Sequence, residues 1–157
     1  MIMNRFSLVA LVLLMASCGQ KPEIQSHYYG FENETWEKNT PLEFVFTIKD
    51  TSEMFSLDAS LRYNERFTFN SLNMSVSLIS PSGSSRYKGV SIEMKNSDGT
   101  PRGESNEDYL EISFPLYRSL RFNEEGEWIL NVMHKMPVDI TRGLKGLEFE
   151  LYPTESK

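Results

Sequence analysis

The chain has 157 residues, 39% of them hydrophobic, and its 22 Asp and Glu against 16 Lys and Arg give a formal net charge of −6. This length predicts one domain with a real hydrophobic core, and the acidic balance argues against nucleic acid as a partner. The single cysteine excludes a disulfide within the chain.

The first residues of the sequence predict a secretory leader. Arg5 precedes an apolar run at 6–15, and two small residues lead directly to Cys18. This order is typical of a signal peptide, and a cysteine at the cleavage point predicts a bacterial lipoprotein acylated on Cys18. The run is too short for a transmembrane helix, which needs about 20 residues. We therefore predict a lipoprotein signal peptide at 1–17, the lipidated cysteine and a short tether at 18–25, and one domain at 26–157.

From residue 40 onward, apolar and polar residues alternate with a period of two, as in half-buried strands. Turn sequences such as Ser80-Pro81-Ser82-Gly83 separate the runs, and no stretch has a sustained helical period. We therefore predict an all-β fold, a single-domain antiparallel β-sandwich that is immunoglobulin-like or jelly-roll-like, with its strand order open. The apolar members of the runs include Leu42, Phe44, Phe46, Ile48, Leu57, Leu61, Met74, Val76, Val90, Ile92, Leu110, Ile112, Trp128, Leu130, Leu147 and Phe149.

One segment resists assignment to a strand. The stretch 96–108 contains two Gly, one Pro and five charged residues. A loop of this length is either functional or mobile, and the sequence leaves both interpretations open.

Catalytic and metal-binding motifs are missing from the sequence. It has no GxSxG, P-loop, HExxH or CxxC pattern. Glu124 and Glu125 lie in a turn sequence, where we expect them to be solvated, and His134 continues an alternating run as a strand-end residue. We therefore predict a protein that is not an enzyme, with no catalytic residue, no metal site, no cofactor and no small-molecule substrate.

Four residues are candidates for binding a partner. Trp36 lies among polar residues, and an exposed Trp36 beside Tyr28 or Tyr29 would stack on a sugar ring or a partner protein. The alternative is an edge strand whose rings cap the sandwich. Arg62 and Arg66 flank the end of a predicted strand, and Arg102 lies in the long loop. The partner-binding candidates are Trp36, Arg62, Arg66 and Arg102.

The whole chain resembles the gliding-motility lipoprotein GldH family of Bacteroidetes-type bacteria. The resemblance rests on the order and spacing of several stretches. These are His27-Tyr28-Tyr29 with Trp36, Leu61-Arg62-Tyr63-Asn64, Phe67 to Leu72, Ser80-Pro81-Ser82-Gly83, Asp98-Gly99, Arg102-Gly103, Phe122, Gly126-Glu127-Trp128, His134-Lys135-Met136 and Gly143-Leu144-Lys145-Gly146-Leu147.

This resemblance implies a non-catalytic envelope lipoprotein of the gliding apparatus and its linked protein secretion machinery. Its partners would be other envelope or gliding-machinery proteins, and acyl chains on Cys18 would hold it to the membrane. Gly19 and Gln20 follow the cysteine without an aspartate, which favours the outer membrane, with the periplasmic face expected rather than the cell surface. The alternative function is a glycan-binding surface lipoprotein that uses exposed aromatic side chains.

Overall fold

The computed structural model describes residues 23–154, so the leader predicted at 1–17 and Cys18 lie outside the described residues. Within this range the chain forms eleven strands and one short 3-10 helix. The elements are β1 (Gln25–Gly30), the 3-10 helix (Glu32–Glu34), β2 (Thr35–Glu37), β3 (Leu42–Ile48), β4 (Met54–Tyr63), β5 (Ser71–Ile79), β6 (Ser85–Glu93), β7 (Glu104–Ser105), β8 (Leu110–Arg121), β9 (Gly126–His134), β10 (Ile140–Arg142) and β11 (Leu144–Pro153).

Two antiparallel sheets pack face to face. The five-stranded sheet has the order β1-β11-β4-β8-β7, and the four-stranded sheet has the order β3-β9-β5-β6. Strands β2 and β10 form a separate two-stranded sheet. The Phe44 ring from β3 contacts the Phe149 ring from β11 at a centroid distance of 4.8 Å, so both sheets contribute to one core. The antiparallel β-sandwich predicted from the sequence is confirmed.

The alternation of the sequence builds this core because successive side chains of a strand point to opposite faces. In β3, four apolar residues from Leu42 to Ile48 are buried and the three residues between them are exposed. Trp128, predicted in the core, is 1% exposed. Burying one Leu or Phe side chain contributes about 1.5–3 kcal/mol, so packing holds this domain together.

The direction of β1 defines two ends of the sandwich. The strand runs from Gln25, paired with Leu151, to Gly30, paired with Gly146. We call the end at Gln25 the leader end, because the described chain enters there, and the opposite one the far end. At about 3.4 Å per residue, β1 separates the two by roughly 17 Å. Gln25 was expected to close the tether, but its pairing with Leu151 makes it the first residue of the sheet.

Gln25 also links the two sheets at their edges. Its side-chain amide donates to the Thr47 carbonyl at 2.7 Å and accepts from the Thr47 N–H at 2.8 Å. The Gln25 amide thereby acts as a strand partner for the outer edge of β3. This contact joins the two sheets at Thr47.

The segment 96–108 is more ordered than its composition suggests. Thr100 N–H donates to Asp98 Oδ1 at 2.9 Å, and Lys95 forms an isolated bridge with Pro101. Strand β7 lies within this segment and pairs with the start of β8. The expectation that the segment resists strand formation is therefore wrong for β7. Because β7 has only two residues, the sequence could not show an alternating pattern there.

Candidate functional site

A hollow of about 370 Å³ lies at the far end, on the outer face of the five-stranded sheet. The 3-10 helix and the end of the long loop form its rim. We call it the far-end hollow. It is lined by Tyr28, Phe31, Glu34, Arg62, Asp108, Tyr109 and Lys145.

Arg62 occupies the floor of the far-end hollow. It points outward from β4 because its neighbours Leu61 and Tyr63 are buried in the core. Its guanidinium pairs with Glu111 of β8 at 2.5 Å and with Glu148 of β11 at 3.2 Å. The hydrogen bond to Glu111 holds the pKa of Arg62 above its ordinary value. The cation therefore bridges three adjacent strands and is neutralised locally.

Two tyrosine rings flank this cation. The guanidinium carbon of Arg62 lies 4.9 Å from the Tyr28 ring centroid and 5.5 Å from that of Tyr109. Such cation–π contacts contribute about 0.5–1 kcal/mol each at exposed sites. The Tyr28 ring lies directly over Gly146, where a Cβ atom would come within 2.1 Å of the Tyr28 hydroxyl oxygen. A glycine at 146 is therefore what allows Tyr28 to form this wall.

Glu34 forms the opposite rim, and three side chains hold it. Its carboxylate accepts from Asn64 Nδ2 at 2.8 Å and pairs with Arg66 at 3.2 Å and Lys145 at 3.7 Å. The Asn64 hydrogen bond, helped by both cations, lowers the pKa of Glu34. The Glu34 backbone has a φ of 56°, a left-handed conformation that surrounding contacts must maintain in a non-glycine residue. The rim is thus fixed in place.

The structure brings together two of the four partner-binding candidates from the sequence. Arg62 lines the far-end hollow, and Arg66 holds its Glu34 rim. Arg102 lies outside the lining residues and pairs with Glu93 at 2.7 Å. Its side chain remains 43% exposed, so it stays a separate surface residue.

Trp36 requires a correction. Its side chain is 2% exposed, and the indole N–H donates to the Thr40 carbonyl at 3.0 Å. The ring packs against Phe31 and His134, each at a centroid distance of 5.3 Å. Trp36 is therefore a core residue that cannot contact a partner from this position. This burial also removes the exposed Trp36 on which the glycan-binding alternative depended.

No pattern in the sequence connects the far-end hollow with four of its lining residues, Tyr109, Lys145, Glu34 and Asp108. Tyr109 is set by a turn, in which the Asn106 N–H donates to the Tyr109 carbonyl at 2.8 Å. Lys145 reaches the hollow because β11 pairs with β1, more than a hundred residues earlier in the chain. Only Gly146 left a signal, as a glycine that interrupts a strand pattern where another group approaches closely.

Most charged side chains of this region pair with one another. Among residues 23–154, no group of three His, Cys, Asp or Glu side chains is arranged to hold a metal ion. Glu124, predicted in a turn, accepts hydrogen bonds from the Ser82 N–H at 3.0 Å and hydroxyl at 2.7 Å. At the far-end hollow, Glu111 and Glu148 pair with Arg62, and Glu34 accepts from Asn64 and pairs with two cations. Asp108 is exposed on the rim.

Comparison with known proteins places the sequence in a family. The family model described as GldH lipoprotein matches residues 23–149, which is most of the chain. The chain belongs to the GldH lipoprotein family. A curated relative, the gliding motility lipoprotein GldH of Flavobacterium johnsoniae, is 26% identical over 121 residues, covering 77% of this chain and 75% of the relative. Family membership confirms the resemblance and the lipoprotein class predicted from the sequence.

Solved structures show only distant likeness to this GldH-family chain. The VP2 subviral particle of infectious bursal disease virus matches with a TM-score of 0.44 and 11% identity, over 85% of this chain and 33% of VP2. Dimeric latent PorU from Porphyromonas gingivalis matches with a TM-score of 0.39 and 15% identity, over 84% of this chain and 13% of PorU. This chain thus spans a third or less of either structure, and neither likeness carries an argument about function. No helix within 23–154 has the length and apolar character needed to cross a membrane.

Proposed function

We propose that this protein is a non-catalytic envelope lipoprotein that serves the gliding apparatus and its linked secretion machinery by binding other proteins of that machinery. Acyl chains on Cys18 anchor it at the periplasmic face of the outer membrane. The family and the name of the Flavobacterium johnsoniae relative support the gliding role. The absence of aspartate at 19 and 20 supports the outer membrane.

The far-end hollow is the observation that carries the binding role. It lies toward the opposite end of β1 from the predicted tether, because Phe31 and Lys145 of its lining lie past the Gly30 end of a strand that spans roughly 17 Å. An anchored molecule therefore presents the hollow away from its lipid attachment. Tyr and Arg are the side chains enriched at the energetic centres of protein interfaces, and here Tyr28, Arg62 and Tyr109 stand together.

Because the charged side chains of the far-end hollow are paired with one another, the hollow suits a partner that fits its shape more than one that offers a single charge. Glu111 and Glu148 neutralise Arg62, and Arg66 and Lys145 neutralise Glu34. A partner side chain that enters meets two tyrosine walls and a rim that is already ordered. Little conformational entropy remains to be lost on binding, which favours affinity.

Replacing Tyr109 with Ala tests this role, because the change removes one wall and leaves the Arg62 ion pairs intact. We expect co-purification of envelope proteins with the detergent-solubilised full-length protein to fall about tenfold or more, as for loss of an interface hot spot. Quantitative mass spectrometry of the captured proteins measures this. Gliding or secretion of surface proteins should be impaired in parallel.

Tyr152→Ala is the matched control. Tyr152 lies at the leader end and bonds Asp58 at 2.8 Å, away from the residues that line the far-end hollow. This variant should capture the same proteins as the parent. Full capture by Tyr109→Ala would contradict the docking role, and glycan hydrolysis at enzyme-like rates by the purified protein would contradict the non-catalytic assignment.

A further inference from the structure

Strand β6 is the free edge of the four-stranded sheet. It pairs with β5 from Ser85 opposite Ile79 to Glu93 opposite Ser71, without a register shift. The strand contains no proline that would interrupt its row of backbone donors. On its other side no strand pairs with it among residues 23–154. A straight ladder of this kind is a template for one more strand.

The first half of β6 is exposed to solvent, although the side chains of Arg86 and Lys88 reach across to β8. Every residue from Ser85 to Gly89 is exposed, and Tyr87 is 70% exposed. A Cβ atom placed on Gly89 would meet nothing within 4 Å. The side chains of an added strand would therefore find open space on the Gly89 face of β6.

Neighbouring edges are bonded at a few positions by other parts of the chain. The Gln25 amide bonds the edge of β3 at Thr47. On β8, the short strand β7 pairs with the first residues, and side chains from β6 take two carbonyls further along. Lys88 donates to the Leu116 carbonyl at 2.6 Å, and Arg86 donates to the Arg121 carbonyl at 3.0 Å. Side chains of β6 thus bond two carbonyls of β8, while no strand pairs with the outer edge of β6 within residues 23–154.

The charge beside this edge is positive although the chain as a whole is acidic. Arg86 and Lys88 are two residues apart and share one face of β6, and Arg121, whose carbonyl accepts from Arg86, is exposed on β8. None of these three cations forms a salt bridge within the described part of the chain. A second copy of β6 would bring basic residues against basic residues, which disfavours self-pairing.

We propose that β6 accepts an extended acidic segment of a partner protein as an added strand. Backbone hydrogen bonds along the ladder supply affinity, as in other cases of strand addition. Selectivity comes from Asp or Glu at alternate positions of the partner, because alternate residues share a face and lie beside Arg86 and Lys88. The surface is independent of the far-end hollow.

A nine-residue peptide in which Glu alternates with Thr and Val is the probe. Full-length protein in detergent should bind this peptide in fluorescence anisotropy, and hydrogen exchange should slow at β6 amides when the peptide is saturating. Lys88→Glu should weaken binding about five- to tenfold, and Lys88→Gln, which keeps a donor for Leu116, should weaken it less. Circular dichroism melting verifies that both variants are folded.

The matched controls separate strand addition from general attraction. Lys38→Glu makes the same charge change at an exposed site on another part of the surface and should alter affinity less than about twofold. A peptide N-methylated at alternate amides, and one with Lys in place of Glu, should not bind. Equal binding of these peptides, equal loss in Lys38→Glu, or unchanged exchange at β6 would overturn the proposal. Tyr109→Ala should leave the peptide affinity unchanged, so the proposals for the β6 edge and the far-end hollow can be contradicted independently of each other.

Discussion

At the residue scale, His134 ends β9 with a buried imidazole whose edge meets Trp36. Its Nδ1 accepts the Met136 backbone N–H at 3.3 Å, and its Nε2 has no hydrogen-bond partner within residues 23–154. Burial, reinforced by the charge of Lys38 and partly opposed by the nearby backbone of β2, lowers the pKa of His134. Protonation would place a hydrogen on Nδ1, so that an N–H of His134 would face the Met136 N–H and the hydrogen bond between them would be lost. The folded state therefore holds this ring neutral.

The free energy of unfolding should fall as the pH drops below the ordinary pKa of histidine, because the folded chain holds His134 neutral. The unfolded chain binds the proton at about pH 6.5, and the folded chain only at lower pH, so protons favour unfolding below about pH 6.5. The urea midpoint should be level above pH 7 and decline between about pH 6.5 and 5. His134→Phe should flatten that decline, although the unpaired Met136 N–H lowers stability at every pH by about 1 kcal/mol.

Carboxylates affect the stability of the fold in a lower pH range than His134 does. The lowered pKa of Glu34 means that its stabilising contacts are present above its ordinary value of 4.5 and are lost as the pH falls below it. A decline between about pH 6.5 and 5 that persists unchanged in His134→Phe would contradict the role assigned to His134.

At the scale of elements, one glycine joins β10 to β11 and supports the rim of the far-end hollow. Gly143 has a φ of 82°, its N–H donates to the Glu34 carbonyl at 2.9 Å, and its carbonyl accepts from the Asn64 N–H at 2.9 Å. A Cβ atom there would meet the Phe67 backbone nitrogen. Gly146, three residues later, would instead meet only the far end of the Tyr28 side chain.

These two glycines should therefore respond differently to alanine. Gly143→Ala should lower the free energy of unfolding by about 3 kcal/mol or more, since backbone and left-handed strain cannot relax. Gly146→Ala should cost less than about 1.5 kcal/mol because Tyr28 can swing away. In a Tyr28→Ala background, Gly146→Ala should be neutral or stabilising, because Ala is preferred to Gly in strands. Urea unfolding of the parent, the three single variants and the Tyr28→Ala/Gly146→Ala double variant measures this, and equal losses at both glycines would contradict the packing described.

The long strands were predictable because burial on one face imprints a period of two on the sequence. Leu42 to Ile48 and Leu147 to Leu151 show it without interruption, and both are strands. Three-residue β2 and β10 carry too few residues to establish a period. The first half of β6 is exposed on both faces, so its sequence had no reason to alternate.

At the scale of the whole molecule, the sandwich could be inferred but its strand order could not. Local alternation says that a strand is half buried, while the choice of neighbours depends on contacts between distant segments. Tyr28 meets Glu148 only because β1 pairs with β11. For the same reason Arg62 was recognisable as a strand-end cation, but its tyrosine walls and its partners Glu111 and Glu148 were not.

We propose that the far-end hollow docks another protein while Cys18 holds the molecule at the membrane. In-cell photocrosslinking from position 109, with a photoreactive phenylalanine derivative replacing Tyr109, tests it most directly. The same residue at position 152 provides the comparison. We expect discrete protein adducts from position 109 that are absent from position 152. No adduct from 109, or the same adducts from both positions, would contradict it.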